Sequence, residues 1–447
     1  YNFFENSVVS QHQSIVKRYP ADQRDTPVSE FLEGQLNIAT EYRGEIKPSD
    51  LGQYKRLGGF AALKTTLEQS QEATIEKVKQ AGLRGRGGAG FPTGIKWELV
   101  HKATAEKKYV ICNGDEGDPG AFMDRMLLES YPFRIIEGVV LAGYATGADE
   151  GIFYIRAEYP RAVKRIREAI EICEKEGMLG DDILGKGFSF KVSVFEGAGA
   201  FVCGEETALI ASVEGKRGMP VMRPPYPATK GLWGYPTLIN NTETFSIVPW
   251  IIRHGPEAFS KTGSEESKGT KVFALAGKIN RGGLIEVPMG ITIRTIVEKI
   301  GGGIPGGKAF KAVQIGGPSG GCIPASMTDI SIDFESLKEA GAMMGSGGLI
   351  VLDETDCMVD IARYFLSFTQ DQSCGKCTFC RVGTRKMLEI LNAITSGKGK
   401  MSDLVHLETL AHWTNKGSLC GLGKTAPNPV LSTLQYFRHE YEAHIEG

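Results

Sequence analysis

What this chain lacks narrows it before any motif does. No apolar run among its 447 residues approaches the roughly 18 that a membrane-crossing helix needs, so direct insertion into a bilayer is not expected. Excess charge of either sign is missing: 51 Lys and Arg stand against 53 Asp and Glu. No net field therefore points to nucleic acid or an anionic membrane surface, and partners must be recognised locally. There is no disulfide framework. Of nine cysteines, five are scattered singly at 112, 173, 203, 322 and 357, which suits a reducing cytoplasm. The start, Tyr1-Asn-Phe-Phe-Glu, has neither a basic n-region nor the apolar core of a signal peptide, and it lacks an initiator methionine, so the sequence reads as part of something longer. No internal repeat is visible. What remains, 41% hydrophobic and 23% charged, suits a globular chain of two or three domains.

The other four cysteines are not scattered. Cys374, Cys377 and Cys380 fall within seven residues, and Cys420 follows in a Gly-flanked Ser-Leu-Cys-Gly-Leu-Gly turn. A C-x2-C-x2-C loop can wrap three corners of an iron–sulfur cubane while the fourth iron takes a thiolate from elsewhere in the fold, and Cys420 is the natural donor. Structural zinc more often uses two separated knuckles, and a third cysteine this close strains a tetrahedron. A 4Fe-4S cluster is therefore expected over zinc or inert buried thiols.

Periodicity divides the chain. Residues 1–58 are polar, lack a strong apolar stripe and read as an arm or linker. Residues 59–245 alternate helical and β-rich runs, with strands expected at 109–112, 151–155 and 191–195 and an amphipathic helix at 161–174, the rhythm of an α/β unit with a mostly parallel sheet. Residues 246–335 read as a small α+β module with strands at 272–276, 284–287 and 312–315 and a helix at 292–300. Residues 336–447 turn helical and carry the cysteines in their loops.

Three loops of the α/β unit have ligand chemistry. Gly85-Arg-Gly-Gly-Ala-Gly90 satisfies G-x-G-x-x-G, but a helical pattern ending at Gly82 precedes it where the dinucleotide fingerprint needs a strand. Its glycines still allow backbone N–H groups to approach a phosphate or flavin, with Arg84, Arg86 and Lys96 adding positive charge. A plain Gly-rich connector is the alternative. Asn113-Gly-Asp-Glu-Gly-Asp-Pro-Gly120 follows an apolar strand, where open α/β sheets bind ligands. Its carboxylates can accept from ribityl or ribose hydroxyls, or the loop is a solvated turn or weak cation site. In Gly197-Ala-Gly-Ala-Phe-Val-Cys-Gly-Glu-Glu-Thr207 the paired glutamates either cap the next helix or face a ligand. Arg223-Pro-Pro-Tyr-Pro and Gly231-Leu-Trp-Gly-Tyr-Pro-Thr-Leu-Ile-Asn-Asn-Thr add aromatic faces and paired amides suited to a heteroaromatic ring, although residues such as Tyr226 and Trp233 are, taken singly, more often core than platform.

Together, residues 83–97, Asn113-Gly-Asp-Glu, Cys203-Gly-Glu-Glu-Thr, Ile239-Asn-Asn-Thr-Glu-Thr and Ser373-Cys-Gly-Lys-Cys-Thr-Phe-Cys-Arg-Val-Gly-Thr resemble the family of NADH-binding flavoprotein subunits: the 51-kDa-type subunit of respiratory complex I and the diaphorase subunits of NAD-linked hydrogenases and formate dehydrogenases. The resemblance implies a Rossmann-like FMN domain, a β-grasp-like middle module and a helical bundle holding the 4Fe-4S cluster. It places FMN against Gly85, Arg86, Gly87, Lys96, Asn113, Asp115, Glu116, Gly204, Glu205, Asn240 and Asn241. NAD(H) is expected to stack through Phe91 and Tyr226, with Glu206 and Asp118 near its ribose or carboxamide and Arg223 near its phosphates. Where complex I subunits usually read Asn-Ala-Asp-Glu-Ser-Glu-Pro-Gly, this chain has Gly114, Gly117 and Asp118, a variant that looks like the hydrogenase and formate dehydrogenase branch; Phe201 also stands where the family usually has Tyr, and Leu99 where it often has an aromatic.

The implied reaction is hydride exchange between NAD(H) and FMN, then single-electron relay through the cluster to partner subunits of a cytoplasmic hetero-oligomer. Expected partners are a 2Fe-2S thioredoxin-like subunit and an iron–sulfur subunit of a hydrogenase, with or without electron bifurcation, or of a formate dehydrogenase or complex I. The cofactors hold the reactivity, and Glu116 and Glu206 are the side chains expected to assist by orientation and tuning. The rival from another class is a non-catalytic iron–sulfur scaffold.

Overall fold

The computed structural model describes residues 26–446; residues 1–25 of the expected arm, and residue 447, lie outside the described residues. The first sheet is β1 (Tyr109–Gly114), β2 (Glu150–Arg156), β3 (Lys191–Gly197) and β4 (Thr237–Asn241), ordered β3-β2-β1-β4 and parallel throughout. Parallel neighbours need crossovers, and helices supply them. Those used below are α1 (Gln71–Gln80), α2 (Thr93–Lys102), α3 (Met123–Ser130), α4 (Pro132–Thr146), α5 (Pro160–Lys175), α6 (Glu206–Val213) and α7 (Thr242–His254). The helix α1 ends at Gln80 and the chain turns at Gly82 (φ +68°), so a helix precedes the glycine loop.

Side chains alternate across a strand, and here the two faces enter different cores. Val110, Cys112, Phe153, Ile155 and Leu238 pack with α4, α5 and α7. Tyr109, Ile111, Ile152, Tyr154 and Ile239 face Val202, Leu209 and the cysteine loops, where Cys380 and Cys420 lie. The period-2 pattern of three short strands thus fixes which side of the sheet receives the thiols.

The second sheet is mixed: β5 (Thr270–Gly277), β6 (Gly283–Pro288), β7 (Phe310–Ile315), β8 (Gly321–Pro324) and β9 (Gly348–Asp353), ordered β6-β5-β9-β7-β8, with β5 and β9 parallel and the other pairs antiparallel. The expected boundary at 335 is corrected here, because β9, the central strand, lies beyond it. Gly348-Leu-Ile-Val-Leu-Asp is a continuous, mostly buried apolar run without alternation, which periodicity cannot separate from a buried helix. The helix expected at 292–300 is wound as a π-helix over Thr295–Ile300.

The C-terminal bundle packs α8 (Met358–Asp371), α9 (Thr378–Thr395), α10 (Met401–Gly417) and α11 (Asn428–Tyr436) around Val359, Leu366, Met387, Leu391, Leu404, Leu407 and Val430. No helix among the described residues is long and apolar enough to cross a membrane.

The described part of the expected arm is seated in the fold, a second correction. Ile38 and Ala39 are buried, and the N–H groups of Ile38, Ala39 and Thr40 donate to the buried Glu286 carboxylate on β6 at 2.9, 2.8 and 2.8 Å. Arg134 of α4 donates to the Ile38 carbonyl at 2.6 Å. The segment is held by backbone amides around charges rather than by an apolar stripe, so no hydrophobic period announces it.

Candidate functional site

The parallel strands deliver their loops to one edge, at their C-terminal ends, where open α/β sheets bind ligands. From β1 comes the acidic loop at 115–120, from β3 the loop at 197–205, and from β4 the pair Asn240 and Asn241. Asn113 joins the first two: its side-chain amide donates to the Gly204 carbonyl at 3.0 Å, and its oxygen accepts from the Asp115 N–H at 3.1 Å. The glycine loop closes over this edge. Gly88 has φ +113°, which favours glycine, and a Cβ there would lie 3.0 Å from the backbone of Gly345 between β8 and β9. Across the same seam, Ser346 donates to Asp118 at 2.9 Å.

Several expected ligand residues are committed to the walls. Arg86 is fully buried, and its guanidinium donates to the carbonyls of Thr270 (2.9 Å), Arg84 (2.8 Å) and Lys268 (2.6 Å). Burial lowers its pKa to about 10. Glu116 accepts from the N–H groups of Asp124 and Arg125, both at 3.0 Å, at the start of α3. Burial, with Asp118 nearby, raises its pKa above the ordinary carboxylate range. Asn241 caps α7 through the Glu243 N–H (2.8 Å) and donates to Asp124 (2.7 Å), while Asn240 accepts from the buried Trp97 indole at 3.0 Å. Glu205 caps α6 by accepting from the Thr207 and Ala208 N–H groups at 2.9 and 3.0 Å. Glu205 is therefore a helix cap, and its other oxygen lies 3.8 Å from Arg223.

Other expected residues are partly exposed at the same edge. Glu206 is paired with Lys96, which also donates to the Ile239 carbonyl at 2.6 Å, and with Arg223 at 3.5 Å. Arg223 also lies 5.9 Å from the Tyr226 ring centre. Phe91 and Tyr226 are 50% and 57% exposed. Gly85 and Gly87 line the turn, with Gly87 tight against Asn241, where a Cβ would lie 3.2 Å from the Asn241 side chain.

Asp115 is different. Its side chain is fully buried, neither oxygen has a hydrogen-bond partner, and burial raises its pKa to about 7 against the opposing charge of Arg156. Buried polar groups are nearly always hydrogen-bonded. A buried acceptor without a donor, between glycine-rich walls, fits the hydroxyl-bearing chain of FMN. Arg156, at the end of β2, belongs to the same place and was missed in the sequence; its position at the C-terminal end of an apolar strand was the available signal.

The four cysteines line one common pocket, with Val202, Pro220, Ser373, Lys376, Leu419 and Leu422. Cys374 and Cys377 lie in the loop before α9, Cys380 in its first turn and Cys420 just before the short helix Gly421–Thr425. Among the described residues no group of three or more His, Cys, Asp or Glu side chains is arranged to hold a single metal ion. The four thiols line one pocket, and a C-x2-C-x2-C loop joined by a fourth, distant cysteine fits a polynuclear cluster. Burial, together with the neighbouring thiols, pushes Cys380 up to about 11, and burial also raises Cys420. Iron bound there would take their protons' place and relieve that penalty.

Comparison with known proteins agrees on both halves. Residues 78–250 match the family model described as the Nuo51 FMN-binding domain, and residues 360–444 match the one described as the NADH-ubiquinone oxidoreductase-F iron-sulfur binding region. The NADP-reducing hydrogenase subunit HndC of Solidesulfovibrio fructosivorans is 54% identical over 92% of this chain and 84% of its own length. An NADH-quinone oxidoreductase subunit of Rhizobium meliloti is 44% identical over 89% of this chain and 94% of its own. The crystal structure of an NAD+-reducing NiFe hydrogenase in the H2-reduced state superposes with a TM-score of 0.80 at 32% identity, covering 98% of this chain and 72% of that one. A buried acceptor at a parallel-sheet edge, four thiols behind the same sheet and matches spanning both lead to one conclusion: the chain belongs to the NADH-ubiquinone oxidoreductase-F (Nuo51) family of FMN- and iron–sulfur-binding oxidoreductase subunits.

Proposed function

We propose that this chain exchanges electrons between NAD(H) and partner subunits of a cytoplasmic, NAD-linked hydrogenase, with the glycine and acidic loops holding FMN and Cys374, Cys377, Cys380 and Cys420 holding a 4Fe-4S cluster. Bound there, FMN would supply two-electron hydride chemistry towards NAD(H), and the cluster one-electron chemistry towards the partner. The residues divide the work. Asp115 and Asn113 bind and orient at the edge of β1, and Gly204 lets the two loops meet. Arg86, Glu116, Asn240 and Asn241 hold the walls. Gly85 and Gly87 bring the backbone close, Phe91 and Tyr226 offer faces for NAD(H), and Lys96, Glu205, Glu206, Asp118 and Arg223 set the charge at the mouth.

The observation that carries this reading is the shared loop at 197–205. Gly204 accepts from Asn113 at the ligand edge, and Val202, two residues earlier, lines the thiol cavity. The two prosthetic groups would then be separated by one loop. The 54% identity to a subunit of a hydrogenase favours that branch over complex I.

The test is anaerobic reduction. FMN-loaded protein should bleach on adding NADH, and a persistently oxidised flavin spectrum rejects the assignment. Cys377→Ala should keep that bleaching and stop transfer to an acceptor that takes electrons from the cluster; undiminished transfer rejects the cluster's part.

A further inference from the structure

Arg156 and Asp115 form an ion pair that does not close. The Arg156 Nη1 and Asp115 Oδ1 stand 3.7 Å apart, beyond hydrogen-bond reach. Asp115 has no side-chain exposure and Arg156 only 11%. Both Asp115 oxygens and the Arg156 Nη1 are buried without a partner. Nothing in the strands forces this. The other arm of the guanidinium is anchored outward, with Nη2 donating to Glu158 at 2.9 Å. That anchor presents Nη1 to the interior.

The position depends on Gly117. A Cβ on that residue would lie 2.1 Å from Arg156 Nη1 and 3.3 Å from the Phe201 ring. The missing side chain is therefore the space the guanidinium occupies, between the acidic loop and the loop at 197–205. A donor and an acceptor, both buried and each lacking a partner, are complementary to a group that accepts from one and donates to the other. A hydroxyl does both.

We propose that Arg156 is a flavin-binding residue of this site, its Nη1 and the Asp115 carboxylate together holding hydroxyls of the ribityl chain, with Gly117 as the residue that admits it. This rests on the FMN reading above and adds to it a residue and a ligand moiety. The phosphate is not the target: a carboxylate beside the guanidinium would repel it, whereas hydroxyls satisfy both charges. No proton or electron moves in the binding step.

The experiment is titration of flavin-depleted full chain with FMN and with riboflavin, which has the ribityl chain and no phosphate, followed by flavin fluorescence quenching, with apoprotein thermal midpoints alongside. Failure of the unaltered chain to bind FMN overturns the functional reading itself. If it binds, Arg156→Gln should weaken both ligands by a similar factor, about ten- to a hundredfold for a lost charged hydrogen bond. Gly117→Ala keeps both charges and only displaces the end of a flexible side chain, so it should weaken both ligands by about tenfold, toward the lower end of that range, with the apoprotein midpoint held. Loss confined to FMN moves Arg156 to the phosphate and overturns the proposal. Unchanged affinity in Gly117→Ala also overturns it, whatever Arg156→Gln does to stability, since the pair is then structural.

Discussion

The seam between the two sheets and the ligand edge of the first sheet are built from the same kinds of buried charge, and they differ in whether those charges are satisfied. In the seam, Lys271 is fully buried. It pairs with Glu243 and donates to the carbonyls of Val272 (2.7 Å) and Ser346 (2.6 Å), while Glu243 also accepts from the Val272 N–H at 2.8 Å. Glu286 takes three backbone amides and two hydroxyls, and Arg86 three carbonyls. At the edge, Asp115 and the inner arm of Arg156 face each other at 3.7 Å and have no hydrogen-bond partner. Satisfied charges hold two modules in register. The unmet ones lie at the edge proposed above to hold the flavin. The two are linked: Ser346 donates to Asp118 of the acidic loop and accepts from Lys271 of the seam.

The largest effect that would break this contrast is in the seam. Lys271→Met leaves Glu243 buried without its cation and should cost about 3–5 kcal/mol in urea unfolding. Adding Glu243→Gln to it should recover much of that loss. A Lys271→Met protein as stable as the original would mean the seam charges are not needed as a pair.

Asp115→Asn should act in the opposite direction, and with pH. Burial raises the folded pKa of Asp115 from 3.8 to about 7, so the folded apoprotein binds the proton that the unfolded chain has already released. Asp115 therefore subtracts stability progressively as pH rises from about 4 to 7, on the order of a few kcal/mol by the top of that window. The amide carries no such loss. The apoprotein of Asp115→Asn should match the original near pH 4 and exceed it at pH 8, read as urea midpoints across that range, even while its flavin affinity falls. A constant difference between the two proteins at every pH would place Asp115 among the satisfied charges instead.

The smallest effect sharpens the line between wall and ligand. Asn241→Ala removes the cap of α7 and its bond to Asp124, and should cost about 1 kcal/mol of stability. If Asn241 serves chiefly the wall, flavin affinity falls less than for Asp115→Asn; the reverse order in matched titrations would make it a first contact.

Legibility followed the range of the interaction. The strands at β1 to β3, the helix α5 and the cysteine spacing were plain because period and spacing are local. The three ligand loops were plain because turn glycines and strand-end carboxylates announce themselves. β9 was hidden since a buried run without alternation has no periodic signature, and residues 38–40 because their anchor, Glu286, lies some 246 residues away. The roles within the loops were hidden too. Glu116 and Asp115 are adjacent and chemically alike, yet one caps a helix and the other stands without a partner.

The sequence alone determined that this chain would carry four clustered thiols and three ligand loops on an α/β frame, because residue type and local spacing decide what chemistry is possible. Only the tertiary structure decided that one face of the parallel sheet receives the thiols while its C-terminal edge receives the loops, and which carboxylates remain unmet there. Burial and partner geometry are set by contacts between segments far apart in the chain, and those contacts, rather than residue identity, separate a charge that holds the fold from one left without a hydrogen-bond partner.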